Sequence, residues 1–432
     1  MGGRFGYDED WKRVNLDRRA FLGTGAAAAL LPAGLASGAA AQPQGASIKL
    51  PPAITREERL ARLANARSLM QRHGIGAIVV EPGASLDYYT GVQWRRSERL
   101  TAAVIPAQGD PIIVTPFFEK PSVEESLGIP AEVRVWQEDE EPLKLVADFL
   151  RERGAASQPV GFEETNRFFI LDRLQQQLPG VRIVSANPVV SASRMIKSPA
   201  EIALMEAANW ITLEAIRTVH GNLKPGMSDD AVRKMLQEEM TRGGGESPWA
   251  LVLFGAASAL PHGTGKAQRL EAGDMVLIDT GCAVHGYQAD ISRSFVIGRR
   301  WTREQMEVWQ RVQLGQQIAW NALKLGTAAG SVDDAVRRAY VSWGYGPGYE
   351  LPGLSHRTGH GIGMEGHEPA NLVHGETTPL APGMCFSNEP GLYLPGRFGV
   401  RLEDCFHLTE AGPRWFTIPP PHPDEPIGIG RR

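Results

Sequence analysis

Asp279 stands inside the apolar stretch of "LIDTGCAVHGYQADISRSF", residues 277–295, and Asp290 follows eleven positions later. "MVLIDTGC" and "YQADISRSFVIG" both read as strands, with "AVHG" as a four-residue loop in which Gly286 supplies turn flexibility. Pairing Cys282 with Tyr287 then sets Asp279 directly across from Asp290, with Cβ atoms roughly 4.5–5.5 Å apart. Two ionised carboxylates at that distance repel unless a proton or cation lies between them, and a divalent metal answers both charges. A comparable pair follows in "MCFSNEPGLYLPGRFGVRLEDCFHL": Glu389 closes one strand, Pro395-Gly396 turns the chain and Glu403 lies on the returning strand. Thirteen residues lie between these acids, so a bulge or looser loop is expected to align them. Alternation puts the neighbouring Asp404 on the opposite face. Between the two hairpins "SHRTGHGIGMEGHEP" carries His356, His360 and His367, three of the chain's ten histidines. Glycines at 359, 361, 363 and 366 let backbone come close to a site. A neutral imidazole ligates transition metals, and further histidines can donate hydrogen bonds to a developing anion.

These groups need elements to hold them. The chain has 432 residues, which suits two domains of ordinary size. With 45 Lys+Arg against 49 Asp+Glu, its formal charge of −4 gives no sign of nucleic acid or an anionic membrane as partner. Cys282, Cys385 and Cys405 form no CxxC pair, sit in apolar strand-like runs and read as buried small hydrophobes. "TREERLARLANARSLMQRHG" has helical spacing through Leu60, Leu63, Ala66 and Met70 and stops at Gly74. "AIVVEP", "LTAAVIP", "PIIVTP", "EVRVWQ" and "PVGFEE" then read as strands, alternating with helices at "EPLKLVADFLRERG" and "FFILDRLQQQLPG". This is an α/β domain over residues 54–190, with no chemical constellation of its own.

A second domain over 191–420, followed by a tail at 421–432, begins with a long helix at "IKSPAEIALMEAANWITLEAIRTVHG". There Ser198 and Glu201 form a capping box and Pro199 takes the first turn. This domain carries an internal echo: "LKPGMSDDAVRKM" (223–235) returns as "LKLGTAAGSVDDAVRRAY" (323–340). Each copy follows a helix and precedes an acid-bearing strand pair, so the two pairs are expected to face each other across one cleft, as a two-sided metal site requires.

The first 41 residues are different material. Arg18-Arg19, an Ala/Gly/Leu run broken by Pro32 and the small residues Ala39-Ala40-Ala41 before Gln42 resemble a twin-arginine export signal, with Asp17 where Ser or Thr is more usual. The run falls short of the roughly 20 apolar residues of a membrane span. Periplasmic or secreted location follows as the expectation, with a linker over 42–53 and no membrane anchor after cleavage.

The order Asp279, Asp290, His360, Glu389, Glu403 resembles the pita-bread metallopeptidases: Xaa-Pro dipeptidases (prolidases), Xaa-Pro aminopeptidases and methionine aminopeptidases. "HRTGHGIG" is most like the compact bacterial prolidases, and the α/β segment looks like the creatinase-type N-terminal domain of the proline-specific members. The resemblance implies an α/β N-terminal domain joined to an α+β pita-bread catalytic domain with an internal pseudo-two-fold repeat. It implies two divalent ions, with Asp279 on one, Asp290 and Glu403 bridging, and His360 with Glu389 on the other. His262 in "LPHGTG", His356 and His367 match family histidines around the substrate carbonyl and proline, Arg401 matches an arginine beside the bridging Glu, and Trp249 is either a pocket wall or core.

The implied chemistry is hydrolysis of the bond preceding proline. Two ions about 3.5–4 Å apart make a bridging hydroxide available near neutral pH and polarise the carbonyl. Glu389 would carry a proton towards the leaving nitrogen while His262 and His367 bond the oxyanion or substrate. Oxygen-rich ligation suits Mn(II), with Co(II) and Zn(II) compatible with the same donors. The implied partner is a proline-containing peptide, and the family suggests a homodimer. Two rival classes are other hydrolase or lyase chemistry on this metal-binding scaffold and a non-catalytic peptide-binding module; the intact acid set argues against a metal-free lyase and against the binding module, and the first class stays an alternative. Dipeptidase and aminopeptidase remain open alternatives.

Overall fold

The computed structural model describes residues 49–430. The export-signal segment and the first part of the expected linker lie outside them. Thr55 caps α1 (Arg56–His73) by accepting the Glu58 N–H at 3.3 Å, and Gly74 at φ +65° ends it. The sheet that follows contains β1 (Ala77–Val80), β2 (Ala102–Pro106), β3 (Ile112–Pro116), β4 (Glu132–Trp136), β5 (Val160–Phe162) and β6 (Ile183–Ser185), in the order β4-β3-β2-β1-β5-β6. Only β2 runs antiparallel to its neighbours. Alternation along β1 explains why both faces are covered. Ala77 and Val79 pack with Phe149 and Leu174, while Ile78 and Val80 pack with Leu63, Met70 and Tyr89.

Phe149 and Leu174 belong to α4 (Pro142–Glu152) and α5 (Phe168–Gln177), both expected from periodicity. Helices α2 (Ala84–Thr90), α3 (Lys120–Ser126) and α6 (Val190–Met195), and strand β6, were not expected. The three helices have six or seven residues, fewer than two turns, too little of a helical period to stand out.

The second half opens with α7 (Pro199–Asn222). Its capping box is present: Ser198 N–H donates to Glu201 at 2.8 Å and the Ser198 hydroxyl accepts the Glu201 N–H at 3.3 Å. Then come α8 (Asp229–Arg242) and the strands β7 (Glu246–Phe254), β8 (Met275–Val284), β9 (Tyr287–Gln288) and β10 (Ile291–Val296), ordered β10-β8-β7 with β9 also on β8. The second unit has α9 (Arg303–Ala322), α10 (Gly330–Ser342) and a sheet of β11 (Gly359–Gly361), β12 (Glu368–Leu372), β13 (Cys385–Asn388), β16 (Asp404–Thr409) and β17 (Gly412–Trp415), ordered β12-β11-β13-β16-β17. Strands β14 (Gly391–Leu394) and β15 (Phe398–Arg401) form the hairpin between β13 and β16.

The sequence echo is structural. After the first helix of each unit the chain turns and bonds a later segment in the same way: Gly226 N–H to Leu270 O at 2.7 Å, and Gly326 N–H to Leu380 O at 2.8 Å. Leu270 and Leu380 bond back to Met227 and Thr327, each at 2.9 Å. The three cysteines are buried and free. Residues 421–430, set apart above as a tail, return to the body of the molecule, where β19 (Ile429–Gly430) pairs with β18 (Thr417–Ile418) and the Arg293 Nε donates to Ile427 O at 2.8 Å.

Candidate metal centre

The first acidic hairpin turns more tightly than expected. Val284 pairs with Tyr287, leaving a two-residue loop of His285 at φ +47° and Gly286 at φ +82°. Two successive positive φ angles are the mark of a type I′ turn, whose twist matches that of the strands. The register therefore shifts by two: Asp279 faces Ser292, and Asp290 is the diagonal neighbour instead of the direct partner. Because the shift is even, Asp279 and Asp290 stay on one face. Gly281 makes the close approach possible, since a Cβ there would lie 1.9 Å from Ala289 O and 2.9 Å from Trp249 Nε1.

The second hairpin needs no bulge. Asn388 pairs with Asp404 and Gly391 with Arg401, one continuous register that aligns Glu389 with Glu403. The ladder breaks between them because Pro390 has no N–H to give. Asp404 points away from the cleft, as alternation requires, into a fully buried pair with Arg293 at 2.7 Å.

These two hairpins and β11 bring all five expected ligands together. His360 Nε2 lies 3.4 Å from Glu389 Oε1, 3.7 Å from Asp290 Oδ2 and 3.9 Å from Glu403 Oε1. Donor atoms of Asp279, Asp290 and Glu403 fall within 4.8 Å of one another, as do those of His360, Glu389 and Glu403. Asp290 Oδ1 and Glu403 Oε1 are buried with no hydrogen-bond partner. Burial, then repulsion from Glu403, Asp279 and Glu389, pushes the Asp290 carboxyl well above the carboxylate range. Glu403 is raised by burial and by Glu389 and Asp279, and burial pushes Glu389 up to about 7. Burial holds the His360 imidazole down to about 3, which keeps it neutral and able to ligate. Orphaned buried oxygens, mutually repelling acids and one neutral imidazole fit divalent cations.

The surrounding groups orient these donors. Arg401 Nη2 donates to Asp279 Oδ2 at 2.5 Å, its Nε to Ser292 Oγ at 2.8 Å and its Nη1 to Tyr393 Oη at 3.2 Å. Ser292 Oγ lies 2.7 Å from Glu403 Oε2 and 3.0 Å from Asp279 Oδ1. Neither Ser292 nor Tyr393 was singled out from the sequence, although the period of two running from Asp290 already placed Ser292 on the ligand face. His356 is committed at both ring nitrogens: Nδ1 sits 2.7 Å from Arg357 O and Nε2 2.7 Å from Tyr393 Oη. Burial and the Arg401 charge hold it at about 3. His262 and His367 are exposed on the cleft, and the His367 ring lies 3.8 Å from that of His360.

The cleft encloses about 740 Å³, ample for a small peptide. Trp249 does line it, next to Leu251, which pairs across the sheet with Asp279. Arg357 and Glu365, also unforeseen, add one charge of each sign to the wall.

Residues 203–410 match the model of metallopeptidase family M24, and residues 62–196 that of the creatinase/prolidase N-terminal domain. The probable dipeptidase PepE of Mycobacterium bovis is 33% identical over 360 residues, spanning 81% of this chain and 92% of that protein. The chain belongs to metallopeptidase family M24. Among solved structures, dipeptidase PepE from Mycobacterium ulcerans has a TM-score of 0.76 at 32% identity, covering 84% of this chain and 97% of that one. Recombinant prolidase from Thermococcus sibiricus has a TM-score of 0.76 at 26% identity, covering 83% and 96%. This metallopeptidase thus joins a creatinase-type N-terminal domain to a pita-bread catalytic domain.

Proposed function

We propose that this metallopeptidase hydrolyses the peptide bond preceding proline, as an Xaa-Pro dipeptidase or Xaa-Pro aminopeptidase, with two divalent ions, most readily Mn(II). The observation that carries the reading is the meeting of Asp279, Asp290, His360, Glu389 and Glu403 beside His262, His356, His367 and Arg401 in one cleft. Relatives named dipeptidase and prolidase supply the preference for proline. Asp279, Asp290 and Glu403 would hold one ion and His360, Glu389 and Glu403 would meet the other, with Asp290 shared. When bound, such ions draw the pKa of a water towards neutrality and polarise the scissile carbonyl.

The chain's own groups do the rest. Glu389, which lines the cleft, takes a proton from the attacking water and returns it to the leaving nitrogen. His262 and His367 face the cleft with ring nitrogens available to the substrate carbonyl. His356 cannot relay a proton without giving up Arg357 O or Tyr393 Oη, so its ring serves as a wall for the proline. Trp249 and Leu251 supply apolar surface for the residue before the bond.

Hydrolysis of an Xaa-Pro dipeptide and of an Xaa-Pro tripeptide, with and without added manganese, tests this reading. Turnover of at least one peptide with manganese, falling to background after chelation, is expected. No cleavage of either peptide with a full metal complement contradicts it.

Export through the twin-arginine route belongs to the same proposal, supported by Arg18-Arg19 and the run ending at Ala41. A mature chain beginning near Gln42 outside the cytoplasm is expected on fractionation. Full-length chain confined to the cytoplasm contradicts it.

A further inference from the structure

Beside the acid cluster, a second group of charges gathers where the N-terminal half meets the catalytic half. Arg194 on α6, Lys197 and Glu368 are 9%, 5% and 5% exposed. Arg194 Nη1 donates to Ser85 Oγ at 2.9 Å, and Ser85 donates onward to Glu163 Oε1 at 2.6 Å; both partners belong to the N-terminal half. Its Nη2 donates to Glu368 Oε1 at 2.5 Å and to Glu365 Oε2 at 2.7 Å. Lys197 Nζ donates to Glu368 Oε2 at 3.1 Å, and the Glu365 N–H closes the loop onto Glu368 Oε1 at 3.1 Å.

The two acids held by Arg194 bracket His367. The backbone of residues 363–368 sets where that imidazole stands: its ring is exposed, lies 3.8 Å from that of His360 and reaches within 4.8 Å of the donor atoms of Asp290 and His360. Gly363 shows how tightly the loop is drawn in: a Cβ there would lie 2.7 Å from Glu368 Oε2. The same loop bonds the first acidic hairpin, with the Gln288 N–H on Gly363 O at 2.8 Å. Burial alone would raise Glu368, but the Lys197 and Arg194 charges overcome it and hold the carboxyl down at about 2, so the anchor is ionised throughout the working range.

We infer that Arg194 is a positioning residue: through Glu365 and Glu368 it fixes the loop that carries His367, and through Ser85 it makes the N-terminal half part of that placement. The inference rests on the proposed role of His367 towards substrate. A displacement near 1 Å at such a group costs about 100-fold in rate.

The test is a double-mutant cycle in the full-length, metal-loaded chain. Arg194→Met is expected to keep the wild-type metal content and to lower kcat/KM on an Xaa-Pro peptide by about 10–100-fold. In a His367→Ala background the same change is expected to cost less than about twofold. Arg194→Lys should recover part of the loss. Additive losses, or loss of metal with Arg194→Met, overturn the inference. Should Arg194→Met fail to fold, Glu365→Gln takes its place, since Glu365 is 55% exposed. Its smaller loss must likewise vanish in the His367→Ala background, and a loss that persists there overturns the inference. Histidine-labelled NMR of the zinc-loaded chain, free of paramagnetic manganese, reads the placement without any substrate. The His367 signal, assigned by its absence in His367→Ala, should shift or broaden in Arg194→Met while that of His262 stays put. An unmoved His367 signal refutes Arg194 alone, whereas inactivity of the wild-type chain on every Xaa-Pro peptide refutes the substrate reading.

Discussion

Replacing Asp290 by Asn is expected to abolish metal retention and to reduce turnover by about 10³-fold or more, which corresponds to about 4 kcal/mol. Asp290 supplies a donor oxygen both to the cluster with Asp279 and Glu403 and to one with His360 and His367, and its Oδ1 has no hydrogen-bond partner. The opposite effect is expected on the chelated protein, because the variant removes one member of a repelling set. The sign follows from linkage. Glu389 is raised from 4.5 to about 7, Asp290 is raised well above the carboxylate range by burial and by Glu403, Asp279 and Glu389, and Glu403 likewise by burial and by Glu389 and Asp279. A carboxyl raised in the folded state contributes stability that is full below its unfolded pKa and is lost as pH rises through the folded one. At about pH 6.5 half of the unfolded histidines are protonated while the buried ones are not, which opposes that slope; above about pH 7.5 both are neutral and the carboxyls govern it. Melting temperature of the chelated wild type should therefore fall as pH rises above about 7.5, and the fall should be shallower in Asp290→Asn. Scanning calorimetry with metal analysis reads both. A variant that keeps its metal, or a chelated wild type that gains stability as pH rises above about 7.5, contradicts the assignment.

The second large effect is structural. Arg293 and Asp404 are fully buried, and Arg293 Nη1 also donates to Ser292 O at 2.9 Å and Glu403 O at 2.7 Å. The pair thus ties the strand that follows Asp290 to the strand that follows Glu403. Arg293→Met strands Asp404 in the core with Gln316 and Thr417 as its side-chain donors among the described residues, and removing one partner of such a pair costs about 3–5 kcal/mol. Since whole domains are stable by only about 5–15 kcal/mol, a large drop in denaturation midpoint is expected. Arg293→Met combined with Asp404→Leu should recover part of it, because no charge is then left unpaired. A midpoint unchanged in the single variant would show that the pair contributes nothing net.

Most of the acid cluster was legible before any coordinates, for a physical reason. Carboxylates inside apolar strands are costly, so Asp279, Asp290 and Glu403 announce themselves by type, and alternation assigns their face. The register was less accessible. "AVHG" closes through His285 and Gly286 alone because His285 accepts a positive φ, and His-Gly is a weaker turn signal than Asn-Gly or Asp-Gly. The same limit made Glu389 and Glu403 look misaligned, whereas an uninterrupted register carries both across the proline break. Groups that act by distant pairing stayed hidden. Arg194, Tyr393 and Arg357 gain their meaning from partners that only the fold brings near, and nothing in their own neighbourhoods signals it. The internal echo was readable as sequence, but its cause is the matching turn bonds of Gly226 and Gly326.

The most direct test is a crystal structure of the chain soaked in manganese, with anomalous differences collected at a wavelength where manganese scatters strongly. Two peaks are expected within ligand distance of Asp279, Asp290, His360, Glu389 and Glu403. Peaks elsewhere, or none at full manganese occupancy of the solution, would contradict the metal centre and the chemistry drawn from it.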